Sequence, residues 1–257
     1  MNKGRLYEDE MIQLINGKKY KDLSPNIQQM IQYIYGVVDP EEVIGCSYAM
    51  DLIKPDFVLR IRDDFRYVSM KSGSAETVHC ENLVSFIPFL RSLGVSRETL
   101  ETILLFHFGD GTTDGTGKIR KGYSELIIEL RDRIRKANSE LNQSSEFIKA
   151  FLERVLFRGV SEEAPGADAI YYGDSFFGFT ATKHQIRKYI VRKNWNKFDN
   201  LHIGPIFLRP AARYLKGETL NVNKRNSVEC YWPRMQEDIK YICKNFSFYT
   251  PVRYRSY

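Results

Sequence analysis

Lys54-Pro55-Asp56-Phe57-Val58-Leu59-Arg60-Ile61-Arg62-Asp63-Asp64-Phe65-Arg66-Tyr67-Val68-Ser69-Met70-Lys71 is the stretch from which the fold is read. Two runs rich in β-branched and aromatic residues, 57–62 and 65–70, flank an Asp-Asp pair, and this pattern predicts a β-hairpin. With the turn centred on Asp63-Asp64, residue 62 faces 65, 60 faces 67, 58 faces 69 and 56 faces 71. Directly opposed residues project to one side with Cβ atoms about 4.5–5.5 Å apart. Asp56 and Lys71 are therefore expected to meet, and strand alternation brings Ser69 to the same face. A carboxylate beside an ammonium suits phosphodiester cleavage. The carboxylate offers hard oxygens to Mg²⁺, and the lysine orients or deprotonates the attacking water. One carboxylate seldom suffices for this, so a second is expected nearby.

The same residues resemble the PD-(D/E)xK nuclease superfamily, the restriction-endonuclease-like fold. Pro55-Asp56 matches its PD element and Lys71 its lysine on the next strand, while position 69, usually Asp or Glu, is Ser. Some restriction endonucleases of the superfamily read S-x-K and take the lost acid from a Glu on the following helix. The resemblance thus implies Asp56 and Glu81 as metal ligands, Lys71 as the residue that activates or positions water, and Ser69 in the vacated acidic position. Glu76 is the alternative to Glu81, and Glu42 is an additional ligand through water. The resemblance spans residues 40–90. It implies a Mg²⁺-dependent endodeoxyribonuclease, of type II restriction kind, cutting double-stranded DNA, with Mn²⁺ as a substitute metal. A homodimer would suit the cutting of both strands. The rival class is a nuclease-like scaffold that grips nucleic acid without cutting it, and Ser69 is the residue that favours it.

Charge points the same way. The 257 residues carry a net +6, but unevenly: residues 183–257 hold 16 Lys+Arg against 5 Asp+Glu, and residues 1–182 hold 22 against 27. A basic final third interleaved with aromatics suggests a polyanion as partner. Lys183, Arg187, Lys188, Arg209 and Arg213 are the candidate DNA-binding residues, acting mainly through phosphates. The 43% hydrophobic share supports a folded core.

Along the chain, Ser24 and Pro25 open a helix over 24–36 with Ile27, Met30, Ile31 and Ile34 on one face. Asp39 caps a second short helix. Helices are expected from about Val78 to Leu93, interrupted at Pro88, and from Ser96 to Phe106. A further helix is expected over 123–142, striped by Leu126, Leu130, Ile134, Ala137 and Leu141, and another over 146–157. Short strands follow at 168–172 and 176–181. A capping box of Thr182 and Gln185 then opens a basic helix over 183–193. This order predicts an α/β (α+β) chain, a mixed central sheet flanked by helices. The expected organisation is a nuclease core at 1–122, a helical insertion at 123–160 that either dimerises or packs within the monomer, and a basic C-terminal part at 161–257.

Other motifs carry less. Gly109–Gly117 followed by Lys118 lacks the Ser or Thr of a phosphate-binding GxxxxGK[ST] loop, since Ile119 comes next. Its Asp110 and Asp114 are typical of turns as well as of cation sites. Cys46, Cys80, Cys230 and Cys243 form no CxxC pair, and the histidines lack HxxxH spacing, so a zinc site is not expected. His107 reads as a core or capping residue, and the aromatics Trp195, Tyr214, Tyr231 and Trp232 as core. Sparse cysteine, no apolar run of membrane length and no signal-peptide pattern predict a cytoplasmic protein.

Overall fold

The computed structural model describes residues 3–50, 54–73, 76–195, 199–212 and 222–246. The N-terminal elements are α1 (Lys3–Ile15), β1 (Lys18–Lys19), α2 (Pro25–Tyr35), β2 (Val43–Tyr48), β3 (Phe57–Ile61) and β4 (Asp64–Lys71). There follow β5 (Thr77–Asn82), α3 (Leu83–Ser92), α4 (Arg97–Phe108), α5 (Tyr123–Glu129), α6 (Arg131–Leu141) and α7 (Ser145–Leu152), which runs into a π-helical turn at Glu153–Arg158. The remainder is β6 (Ala169–Gly173), β7 (Gly178–Thr182), α8 (Lys183–Arg192), β8 (His202–Ile203), β9 (Ile206–Pro210), α9 (Val222–Arg225), β10 (Ser227–Tyr231) and α10 (Met235–Asn245). The class is mixed α/β, as expected.

The chain divides into two compact units, and the division cuts across the expected organisation. The first unit is made of 1–75, 156–189 and 234–257, and the second of 76–155 and 190–233. The helices over 123–152 therefore group with β5, α3 and α4 rather than standing apart.

The first unit holds a mixed sheet of order β1-β2-β3-β4-β6-β7, antiparallel throughout except for the parallel pair β4/β6. Its core lies on one face: Phe57, Leu59, Val68, Met70, Ala169 and Tyr171 pack with Met11 and Ile15 of α1 and Ile27, Met30, Ile31 and Ile34 of α2. The α2 helix forms where the sequence places it, and the Ser24 side chain accepts from the Ile27 amide. The expected helix at Asp39 is a turn instead, in which Asp39 accepts from the Glu41 amide at 2.9 Å.

The β3–β4 hairpin is present with its register moved by two. Ile61 pairs with Asp64, so the turn is Arg62-Asp63. Arg62 takes a left-handed backbone, φ 54°, and its guanidinium reaches Glu42 at 2.7 Å. A slip of one residue would have turned every side chain over, whereas a slip of two preserves the faces. Asp56, continuing that register, lies opposite Ser69, and Lys71 stands diagonal to it.

The second unit holds an antiparallel sheet of order β5-β10-β9-β8. Residues 77–82 form β5 rather than the start of a helix, and α3 begins only after Asn82, whose side chain caps it at the Val84 amide. Pro88 sits inside α3 without dividing it. The 123–142 stripe breaks at Leu130 into α5 and α6. Leu126, Ile134, Ala137 and Leu141 are buried, so the stripe packs within the chain and is not a free dimerisation face. Trp195 and Trp232 are both buried here, as expected; Tyr214 lies outside the described residues. Among the described residues no helix is long and apolar enough to cross a membrane.

Candidate active site

Asp56 sits just before β3, and its main chain is already ladder-bonded: its amide donates to the Val68 carbonyl at 2.9 Å. This fixes the carboxylate over the C-terminal end of β4. There Oδ2 accepts from the Met70 amide at 2.5 Å and from the Ser69 hydroxyl at 3.1 Å. The Lys71 Nζ lies 3.7 Å from the same oxygen and donates to the Met70 carbonyl at 3.0 Å. Among the described residues Oδ1 has no hydrogen-bond partner. Asp56 and Lys71 side chains are 24% and 20% exposed, open enough to meet a substrate, while Ser69 is fully buried. Ser69 therefore positions Asp56 and does not itself reach outward.

A second carboxylate, which no motif in the sequence marks, feels the charges of Asp56 and Lys71. Glu8 of α1 has its pKa raised above the ordinary value, first by burial and next by the negative charge of Asp56; Arg5 and Lys71 pull it the other way. Arg5 stands 3.8 Å from Glu8. Tyr7, Met11 and Ile15 recur every four residues, a stripe that marks α1 as a helix but does not say which strand ends Glu8 approaches. Met11 and Ile15 are fully buried, and Glu8 sits one turn before Met11.

The expected second acid is placed differently. Glu81 lies on β5, in the second unit, with its side chain 2% exposed. Both its oxygens are engaged by Arg154, which donates from Nε at 3.0 Å and from its terminal nitrogen, and His79 Nε2 lies 2.9 Å away. Burial raises its pKa, but the hydrogen bonds from His79, Arg154 and Ser85 outweigh that and hold it at about 2. This is the chemistry of a buried ion pair. Glu76 accepts from the Tyr231 hydroxyl, and Glu42 is held by Arg62 on a turn rather than on a helix.

The basic candidates fall into two groups. Lys183, Arg187 and Lys188 lie along α8, and the first two stack on the Phe157 ring at 5.4 and 5.7 Å. The capping box forms as expected, the Thr182 amide donating to Gln185 Oε1 at 2.8 Å. In the second unit Arg209 pairs with Glu229 at 2.9 Å and lies 3.9 Å over the Tyr231 ring. Arg213 lies outside the described residues.

The glycine-rich loop is self-stapled. Asp110, its side chain fully buried, accepts from the Thr112 amide and hydroxyl and from the Gly117 amide, with Arg120 at 3.5 Å. Asp114 makes the matching turn to Thr116. His107 Nε2 is 2.6 Å from the Arg225 carbonyl, in keeping with a core role.

No protein-family model matches this chain, and no curated protein matches it.

Among the described residues, no three His, Cys, Asp or Glu side chains gather closely enough to hold a metal between them. The donor set at Asp56 fits a hard cation of modest demand. Mg²⁺ is commonly held by one or two carboxylates, with water and substrate phosphate completing its shell, and Asp56, whose Oδ1 stays outside the bonds to Ser69 and Met70, supplies one.

Proposed function

We propose that the chain is a Mg²⁺-dependent endodeoxyribonuclease that hydrolyses phosphodiester bonds in double-stranded DNA, in the manner of a type II restriction enzyme. The observation that carries this reading is the meeting of Asp56 and Lys71 at one end of a sheet, 3.7 Å apart, with Asp56 held by Ser69 and the Met70 amide; Glu8 of α1 feels the charge of both. Asp56 and Glu8 would hold the metal, with Mn²⁺ as a substitute. When bound, such an ion polarises the scissile phosphate and lowers the pKa of water. Lys71, steered by the Met70 carbonyl, holds the attacking water and neutralises charge that builds on the phosphate. Ser69 keeps Asp56 Oδ2 turned inward, which leaves Oδ1 outward. Lys183, Arg187 and Lys188 on α8, with Arg209 and Arg213, take up backbone phosphates. Glu81, engaged by Arg154, is assigned to stability.

One observation favours a second reading, a nuclease-like nucleic-acid-binding protein without activity. Ser69 stands where an acid would complete the ligand set. Incubating the protein with plasmid and phage DNA, in Mg²⁺ and in EDTA, separates the two. Discrete fragments in Mg²⁺ alone support the nuclease. A salt-sensitive gel shift without cutting hands the case to the binding protein.

A further inference from the structure

The β6–β7 hairpin ends in Asp174-Ser175-Phe176-Phe177, and its two phenylalanines are 84% and 62% exposed. Such exposure of adjacent large aromatics is costly in water, and here the backbone that presents them is tied down. Asp174 Oδ1 accepts from the amides of Phe176 and Phe177 at 2.9 and 2.8 Å, and the Asp174 amide donates to the Phe177 carbonyl at 2.9 Å. The Ser175 hydroxyl donates to Glu10 of α1 at 3.0 Å, and the Tyr171 hydroxyl donates to the Asp174 carbonyl at 2.5 Å. The neck is closed so tightly that only glycine fits. A Cβ on Gly173 would lie 2.2 Å from the Phe177 carbonyl oxygen, and one on Gly178 2.3 Å from the Tyr171 ring.

The tip also has a definite place. In the parallel pair, Lys71 of β4 is level with Tyr172 of β6, so residues 174–177 emerge from the same end of the sheet as Asp56 and Lys71. Glu10, which anchors the tip, lies on α1 two residues from Glu8. Behind the tip, Phe179 packs edge-on against Phe177 at 5.0 Å, and the exposed Lys240 stands 5.6 Å over Phe179.

We infer that Phe176 and Phe177 form a stacking wedge for DNA bases, entering a base step beside the scissile phosphate. The inference rests on the nuclease reading for the identity of the polymer. Apolar side chains inserted between base steps unstack them and bend the duplex, and a pre-ordered tip keeps the ordering cost of doing so low. The Lys240 ammonium, on the Phe179 ring behind the tip, offers a flanking phosphate a partner, while the tip's own carboxylates, Asp174 and Glu10, are engaged in hydrogen bonds within it.

The test uses the full chain in EDTA with short duplexes carrying 2-aminopurine at several positions, whose fluorescence rises when the base leaves its stack. Wild type is expected to bind and give the rise. Phe176→Ala/Phe177→Ala is expected to lose the rise and bind about tenfold weaker or more, given the usual worth of base–aromatic stacking. Phe176→Trp should retain both, and an unchanged melting temperature shows that the alanine pair is folded. An alanine pair equal to wild type in affinity and fluorescence overturns the wedge, as does a wild type that binds no DNA. Cleavage in Mg²⁺ is scored separately. A wild type that unstacks bases through this tip but never cuts sinks the nuclease reading and upholds the wedge. A wild type that cuts, with an alanine pair that still unstacks, does the reverse.

Discussion

Replacing Glu81 by Gln removes a charge that the structure shows to be buried and paired, and the size of the effect can be worked out. Its carboxyl falls from 4.5 to about 2 in the fold, and each unit is worth about 1.36 kcal/mol. Ionised Glu81 thus contributes roughly 3 kcal/mol at neutral pH, an order-of-magnitude figure. A carboxyl with a lowered folded pKa stabilises fully above its unfolded value, and the contribution is lost as pH falls from 4.5 towards about 2. Protonated Glu and Gln are near isosteres, so the gap between wild type and Glu81→Gln should be about 3 kcal/mol at pH 7 and narrow to less than half of that at pH 3. Removing one partner of a buried pair strands the other, which pushes the neutral-pH figure upward. Both tryptophans of the chain, Trp195 and Trp232, belong to the unit that carries Glu81. Urea unfolding followed by their fluorescence therefore reports the right part of the molecule. A gap under ~1 kcal/mol at pH 7, or one that does not change with pH, would refute the assignment of Glu81 to a buried ion pair. Loss of DNA cleavage with stability intact would return Glu81 to the catalytic acid role.

Two further outcomes follow from the geometry. Glu8→Gln should raise the melting temperature at pH 7 while weakening Mg²⁺ or Mn²⁺ uptake measured by titration calorimetry; the raised pKa of Glu8 means its ionisation opposes folding increasingly as pH rises above the ordinary carboxyl value, and a lowered melting temperature with normal metal uptake would contradict a metal role for Glu8. Asp110→Ala takes from Arg120 its carboxylate, leaving it the Phe108 and Gly115 carbonyls, and frees two loop amides, which should cost roughly 2 kcal/mol of stability by tryptophan-detected unfolding, whereas Asp114→Ala should leave the midpoint near wild type.

What the sequence could say was set by how local each signal was. The Ser24 cap, the β3–β4 hairpin and the Thr182–Gln185 capping box each complete their hydrogen bonds within a few residues, and each formed. The hairpin register missed by two because Arg62, an unfavoured left-handed residue, took the turn with help from Glu42, a partner twenty residues away in the chain. The strand at 77–82 was hidden because its buried face carries His79 and Glu81, which read as polar. Arg154, contributed by the distant π-helical turn, pairs with Glu81 and makes that burial tolerable. The break at Leu130 interrupts a stripe that is otherwise continuous, so periodicity could not show it. At the candidate site, Asp56, Ser69 and Lys71 were legible because the two strands are adjacent. Glu8 was not, because it arrives from a helix whose packing on the sheet is a tertiary fact.

The most direct test of the proposed centre compares cleavage of plasmid DNA in Mg²⁺ by wild type, Asp56→Asn, Lys71→Ala and Glu81→Gln, each confirmed folded by circular dichroism. Wild type and Glu81→Gln should cut, and Asp56→Asn and Lys71→Ala should lose cutting with DNA binding retained. Cutting that survives in both Asp56→Asn and Lys71→Ala would contradict the proposed centre.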